Sequence, residues 1–204
     1  MNIVLYFGSF NPIHIGHLAL ANYVQSYGGF DELWFVVTPC NPFKRDQQLW
    51  DDDLRLELAR RATSGCPFLN VCDVEFTLPR PSYTANTLRR LQELYPEHAF
   101  TLLMGGDNWA GFPKWRESEQ ILKMCRVIIY PRPGYELDAS LLPDRVRVLE
   151  APLLDVSSTF IRAAMAQGRD VRYFLHPSSM ELQDEMRRET ERISSAQAET
   201  ASED

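Results

Sequence analysis

GSFNPIHIGHL, residues 8–18, is the stretch that decides the fold. The apolar run Ile3–Phe7 leads into it, and a segment with apolar residues at helical spacing follows it. This order predicts a strand, a tight loop and then a helix that begins near His14 or Ile15. Because backbone N–H groups at the start of a helix lack partners within the helix, they attract anions. We therefore expect a phosphorylated ligand at this loop.

Two histidines lie at the expected start of this helix. His14 and His17 are three residues apart, so they share one face of the first turn, and Gly16 between them leaves the backbone open to a ligand. Together they could hold a polyphosphate. An ordinary strand-to-helix turn is the structural alternative. Zinc binding is disfavoured because no Glu follows the first histidine, and the other histidines, His98 and His176, lie far away in the sequence.

The composition limits the class of protein. The chain has 204 residues, a net charge of −7 and a pI near 5.2. An acidic surface argues against nucleic acid or an anionic membrane as the main partner, and the length suits one domain with its own core. The four cysteines form no C-x-x-C pair, and we find neither a basic N-terminal leader nor an apolar span of about 18 residues. We expect a cytoplasmic protein with reduced thiols.

Apolar runs alternate with helical patterns along the chain, which is typical of a parallel sheet. We therefore predict an α/β fold with a doubly wound, Rossmann-like parallel sheet. In such folds ligands bind outside the carboxyl ends of the strands, so the segments that follow the runs are the candidate site. The predicted strands are Ile3–Phe7, Leu33–Val37, Phe68–Val74, Phe100–Met104, Arg126–Tyr130 and Val146–Leu149.

Two of these segments carry candidate anion-binding groups. After the second run, a proline-containing loop brings Lys44 and Arg45, which either contact phosphates or are simply solvated, before Asp51–Asp53 cap a helix through Arg61. After the third run, the prolines that lead to Ser82 and Thr84 mark a helix start. That start is either a plain capped helix, which the motif alone favours, or a second anion site.

The segments after the later runs add candidates for binding a nucleotide. Gly105 and Gly106 allow a ligand close to the backbone, and Asp107 beside them either accepts hydrogen bonds from ribose hydroxyls or caps a helix. Trp115 either packs or stacks on a flat ring. Arg162 lies one turn inside a helix that Ser157, Ser158 and Thr159 cap, where its guanidinium can grip phosphate in a bidentate way.

The C-terminal residues differ in composition from the rest. Beyond Glu189 the chain is polar and acidic with almost no apolar residues. Such a segment has little to bury, so we predict one domain over residues 1–188 and a disordered acidic tail over residues 189–204.

Seven motifs, taken in order, resemble those of the nucleotidylyltransferase superfamily and, within it, of the bacterial nicotinate mononucleotide adenylyltransferases. The first and last are shared across the superfamily, and the likeness covers residues 1–188. One departure concerns the second motif, where the family often has Pro-His-Lys and this chain has Pro42-Phe43-Lys44, so any phosphate contact from that histidine is missing. The motifs are GSFNPIHIGH at 8–17, NPFK at 41–44, PSYT at 81–84, GGD at 105–107, FPKW at 112–115, RPG at 132–134 and SSTFIR at 157–162.

The resemblance implies a single nucleotidylyltransferase domain with a small C-terminal helical part. It implies transfer of AMP from ATP to nicotinate mononucleotide, giving nicotinate adenine dinucleotide and pyrophosphate, with Mg²⁺ brought by the ATP phosphates rather than held at a metal site of the protein. The attacking phosphate oxygen is already an anion, so no general base is required. A homo-oligomer is left open. The same fold could instead act on nicotinamide mononucleotide or phosphopantetheine, or serve as a non-catalytic sensor of adenine nucleotides.

The resemblance also assigns residues to roles. The catalytic group would be His14, His17, Lys44 and Arg162. ATP would contact Gly8, Ser9, Phe10, Gly16, Gly106, Asp107, Ser157, Ser158, Thr159 and Arg162. Nicotinate mononucleotide would contact Asn41, Lys44, Tyr83, Thr84 and Trp115.

Overall fold

The protein is built on a six-stranded parallel sheet with the strand order β3-β2-β1-β4-β5-β6. The computed structural model describes residues 1–39, 49–152 and 154–201, and for residues 197–201 the backbone alone. The strands are β1 Asn2–Gly8, β2 Glu32–Val37, β3 Leu69–Cys72, β4 Ala99–Gly105, β5 Arg126–Tyr130 and β6 Val146–Val148. The chain reverses its direction of winding between β1 and β4, which confirms the doubly wound prediction and places a crevice at their carboxyl ends.

Both faces of the sheet are covered, which explains why the strands read as continuous apolar runs. Ile3, Val4 and Leu5 of β1 are all fully buried although alternate residues point to opposite faces. The helices are α1 Ile15–Gly28, α2 Asp52–Thr63, α3 Thr84–Leu94, α4 Gly106–Gly111, α5 Ser118–Met124, α6 Ser158–Ala166 and α7 Gln183–Ala201. Residues of α1, α2, α6 and α7 share one core and residues of α3 and α5 the other.

The predicted element boundaries are largely confirmed. Helix α1 begins at Ile15, the Asp51 carboxylate accepts hydrogen bonds from the first turn of α2, and the Ser157 hydroxyl accepts one from the first turn of α6. The third strand is shorter than expected, because a single 3-10 turn, Val74–Thr77, begins where the prediction still placed strand. The last strand ends one residue early at Val148.

The prediction of a disordered tail from residue 189 is wrong for the part of it that the structure describes. Residues 189–201 continue helix α7, whose Met186, Thr190 and Ile193 are buried at helical spacing against the domain. The Glu189 carboxylate accepts a hydrogen bond from the backbone of Asp51 at 2.8 Å. The domain therefore does not end at residue 188. The average polarity of this segment does not reveal the helix, because one narrow buried stripe is enough to pack an otherwise polar helix against the domain.

None of the helices in the described part of the chain combines the length and the apolar character that a membrane span requires.

Candidate active site

A cavity of about 600 Å³ opens at the carboxyl ends of the strands, where the order reverses between β1 and β4. One wall contains the predicted phosphate-binding residues Gly8, Ser9, Phe10, His17, Ser158, Thr159 and Arg162. The other side contains Tyr83, Thr84 and Trp115, and Asp107 also lines the cavity, beside Arg132. The fold therefore brings together residues that are up to about 150 positions apart in the sequence.

The loop between β1 and α1 is tied to the start of α6. The Arg162 guanidinium donates from Nη1 to the carbonyl of Asn11 at 2.6 Å, and the Ser158 hydroxyl donates to the carbonyl of Pro12 at 2.9 Å. Phe10 has a φ of 43°, in the left-handed region that residues other than glycine rarely adopt. Contacts with the surrounding structure therefore hold the loop in a strained backbone conformation. A Cβ on Gly8 would lie 2.9 Å from the Phe10 ring, which explains the glycine.

The two histidines form a stacked pair at the start of α1. Their ring centroids are 3.7 Å apart, and the His14 backbone N–H donates to Nδ1 of His17 at 3.3 Å. With Nδ1 of His17 accepting, the proton of the neutral ring lies on Nε2. Burial and the nearby Arg132 lower the pKa of His14 to about 4, and burial with His14 lowers the pKa of His17 well below its usual value. At neutral pH both rings are therefore hydrogen-bond donors rather than charges.

Among the described residues, the cationic side chains that line the cavity are Lys114, Arg116, Arg132 and Arg162. Arg162 is half-buried and has no carboxylate partner among the residues that the structure describes. Arg132, after β5, lines the cavity, donates to the Tyr130 hydroxyl at 3.1 Å and has its Nε 3.8 Å from an Asp107 carboxylate oxygen. Residues 132–134 were noted in the sequence only as a motif, and no role was predicted for Arg132. Its position directly after a buried strand is the signal that could have found it.

The glycines around Asp107 have different roles. A Cβ on Gly105 would collide with the Asp107 carboxylate and press on the Arg132 side chain, and this glycine lines the cavity. Gly106 is the first residue of α4, and a Cβ added to it would contact the 132–137 segment; its expected contact with ATP stays a prediction.

The other wall is formed by the turn that precedes α3 and by the end of the 3-10 turn at Phe112–Lys114. Tyr83 is the N-terminal cap residue of α3, with the guanidinium of Arg116 over its ring at 4.8 Å. Trp115 packs against Phe112 with ring centroids 5.5 Å apart while it also lines the cavity, so both of its expected roles are compatible with its place. The predicted helix start after Pro81 is confirmed.

Comparison with known proteins decides the family. A family model described as cytidylyltransferase-like matches residues 5–164. A protein of Bacteroides fragilis, described as probable nicotinate-nucleotide adenylyltransferase, is 55% identical over 85% of this chain and 87% of its own length. One from Porphyromonas gingivalis with the same description is 47% identical over 84% and 87%. The chain belongs to the nicotinate-nucleotide adenylyltransferases, within the cytidylyltransferase-like family.

Solved structures show the same fold. Plasmodium falciparum nicotinic acid mononucleotide adenylyltransferase, complexed with NaAD, superposes with a TM-score of 0.73 at 21% identity, over 88% of this chain and 93% of that chain. The same enzyme complexed with APC gives a TM-score of 0.71. At this identity the likeness concerns the fold, and it confirms the predicted Rossmann-like architecture.

Three further predicted residues within the described part of the chain do not line the cavity. His14, Gly16 and Ser157 lie beside it, in the same loop or helix start as residues that line it. Asn41 and Lys44 lie outside the described residues. Glu75, which sequence reasoning also missed, lines the cavity on the α3 side although it is 1% exposed.

Proposed function

We propose that this member of the family transfers AMP from ATP to nicotinate mononucleotide, releasing pyrophosphate and forming nicotinate adenine dinucleotide. The observation that carries the proposal is the division of one cavity into two unlike walls. N–H donors with Arg132 and Arg162 line one wall, and an aromatic side chain, Arg116 and a second helix start line the other.

The first wall suits a triphosphate. Arg162 and the backbone at the start of α6 would hold the β- and γ-phosphates, and His17 would donate to the α-phosphate region, where charge builds as pyrophosphate leaves. Asp107 and Arg132 line the cavity after β4 and β5, where the ribose would lie in an α/β fold of this kind. Mg²⁺ would enter as part of the ATP substrate, bound to its phosphates.

The reaction requires few catalytic groups from the protein. The phosphate oxygen of the mononucleotide is already an anion, and it attacks the α-phosphorus in line with the departing pyrophosphate. No proton has to be removed from the nucleophile. Catalysis then consists of holding the two phosphates in line and stabilising the charge that develops, which is what neutral donors and fixed guanidinium groups do.

The second wall suits a pyridine mononucleotide. Trp115 offers a flat apolar face for the ring, and the N–H groups at the start of α3 favour an anionic substituent. We propose that the acid is preferred over the amide by about a hundredfold, because a carboxamide would leave a buried donor unpaired.

A panel of acceptors tests this function. The purified protein is incubated with ATP, Mg²⁺ and either nicotinate mononucleotide, nicotinamide mononucleotide or phosphopantetheine, and dinucleotide and pyrophosphate are quantified. We expect the highest kcat/KM with nicotinate mononucleotide. A higher value with either other acceptor would reassign the substrate, and ATP binding without pyrophosphate release from any acceptor would show a nucleotide sensor.

A further inference from the structure

Glu75 is a carboxyl group buried under the acceptor side of the cavity. It lies on the 3-10 turn that follows β3 and is 1% exposed, yet none of the described arginines, lysines or histidines pairs with it. A buried carboxylate without a cationic partner is strongly unfavourable. The uncharged acid is the form that this environment favours.

The hydrogen bonds around Glu75 fit an uncharged carboxyl. The Thr87 hydroxyl lies 2.7 Å from Oε1 of Glu75 and 3.3 Å from the carbonyl of Tyr83, so its single proton has two acceptors in reach. A protonated Glu75 can accept from Thr87 at Oε1 and carry its own proton on Oε2. The Oε2 proton is then available to a further acceptor.

Two further buried polar atoms lie beside the contact between Glu75 and Thr87. Oε2 of Glu75 and Oγ of Ser82 are both buried, and neither has a well-aligned hydrogen-bond partner within the described residues, although the Ser82 hydroxyl lies near enough to Glu75 to lower the pKa of its carboxyl. Ser82 is 7% exposed, and both residues line the cavity next to the start of α3. Buried polar groups in folded proteins are normally paired, so this pair calls for a partner from outside the chain.

The other groups that face Glu75 do not change its charge. They are the hydroxyls of Thr38, Ser82 and Thr87 and the thiol of Cys72. Burial raises the pKa of this thiol to about 11. Burial raises the pKa of the Glu75 carboxyl, and the three hydroxyls offset this only in part. Arg116 on the same wall lies over the Tyr83 ring and 3.8 Å from Glu117.

We propose that Glu75 and Ser82 form a specificity-determining floor of the acceptor subsite, where the uncharged Glu75 carboxyl and the Ser82 hydroxyl donate hydrogen bonds to the anionic substituent of the acceptor's ring. The inference rests on the proposed function. A neutral carboxylic acid can donate to an anion in this way when its surroundings keep it protonated. Once ionised, the same group would repel an acid and favour the donor NH₂ of an amide.

The test is the ratio of two dissociation constants, that of nicotinamide mononucleotide divided by that of nicotinate mononucleotide. Both ligands carry the same phosphate, so its titration cancels in the ratio. Calorimetry over roughly pH 5.5 to 9 brackets the range known for buried glutamates. The ratio of the wild-type protein should be high at low pH and should fall by up to about tenfold per pH unit above the pKa of Glu75.

Three variants separate the roles of Glu75. Glu75→Gln keeps the shape and a donor but cannot ionise, so its ratio should stay at the low-pH value of the wild type throughout. Glu75→Leu lacks the donor and cannot ionise, so its ratio should be about tenfold below that of Glu75→Gln at every pH. Glu93→Gln, an exposed glutamate on α3 that pairs with Arg90, is the matched control and should behave like the wild type.

Each result has one meaning. If Glu75→Gln shows the same fall with pH as the wild type, the inference is overturned. If the wild-type ratio is flat, a lower ratio in Glu75→Leu supports the inference and an unchanged one overturns it, and Ser82→Ala answers the same question should Glu75→Leu fail to fold. Failure of the protein to form dinucleotide from ATP and nicotinate mononucleotide would refute the proposed function instead, whatever Glu75 does.

Discussion

The two walls of the cavity are assembled in different ways. The ATP wall joins residues 8–17 to residues 157–162, and it is held by hydrogen bonds from Arg162 and Ser158 to the backbone of the first loop. The acceptor wall is largely local, since Glu75, Ser82 and Thr87 lie within a dozen residues of one another and the Thr87 hydroxyl is 2.7 Å from the Glu75 carboxyl.

Their chemistry differs as well. The ATP wall presents N–H donors and two guanidinium groups, which suit any polyphosphate. The acceptor wall presents an indole, a helix start and a buried carboxyl, which together suit one kind of ring. We infer that the first wall carries the reaction and the second carries the choice of substrate. Substitutions on the two walls should therefore change different kinetic constants.

The largest effect is expected on the ATP wall. His17→Ala should lower kcat by about 100- to 1,000-fold with the fold intact, because it removes a donor aimed at developing charge. Steady-state kinetics with both substrates saturating measures this, and His98→Ala, a histidine at the opposite end of the sheet, is the control. A normal kcat in His17→Ala would remove this residue from the mechanism.

Arg162→Ala should act mainly on ATP binding. A guanidinium that grips phosphate contributes in the ground and the transition state alike, so KM for ATP should rise by a factor that corresponds to about 1.5–3 kcal/mol. KM for nicotinate mononucleotide should change little. Arg169→Ala, at an exposed position after α6, provides the comparison. An unchanged ATP affinity would mean that Arg162 serves only to brace the carbonyl of Asn11.

Neither wall should depend strongly on the end of helix α7, but the fold should. Deleting residues 190–204 removes the buried Thr190 and Ile193, and we expect a loss of about 2 kcal/mol in the free energy of unfolding, or roughly 4–8 °C in Tm. Deleting only residues 197–204 should cost less. Thermal unfolding of the two shortened chains decides this, and an unchanged Tm for the longer deletion would show that α7 contributes nothing after Glu189.

How far the sequence predicts the structure differs between these regions. The strands were predictable because buried parallel strands read as unbroken apolar runs, and the helix starts were predictable because Asp51 and Ser157 are capping residues. On the ATP wall, the fold brings together His17, Ser158 and Arg162, which the sequence singled out by residue type and spacing; that they bind phosphate stays a prediction. Local signals therefore sufficed for β1, α1 and α6.

The rest depends on contacts that no local signal encodes. Arg132 follows a strand, but its position in the site depends on contacts with Tyr130 and Asp107, which the sheet brings close to it. Glu75 follows an apolar run, and only the packing of α3 over it makes it a buried acid. Helix α7 is polar on average, and its stripe matters only because the domain offers a surface for it.

On the acceptor wall, Trp115→Ala should weaken nicotinate mononucleotide by about tenfold and leave ATP unaffected, because a lost stack on the pyridine ring touches one substrate. Trp109→Ala is the matched control, since Trp109 stacks on the same Phe112 at 5.0 Å but does not line the cavity. It should lower Tm without a selective effect on KM. Equal changes in both KM values for Trp115→Ala would make this residue a packing residue and would blur the distinction between the walls.

The smallest effect, and the finest test of the acceptor wall, concerns Thr84. It is the first residue of α3, where the backbone N–H has no partner within the helix. A carboxylate of the acceptor can therefore accept a hydrogen bond from this N–H. Thr84→Ala keeps that N–H and should leave the preference for the acid over the amide nearly unchanged. Thr84→Pro removes it, while proline is well tolerated at a first helical position and Tyr83 already has the extended backbone that precedes a proline. The preference, measured as the ratio of kcat/KM for the two acceptors, should then fall by about three- to tenfold with Tm nearly unchanged. If alanine and proline reduce it equally, the threonine hydroxyl and not the backbone reads the substrate at this position.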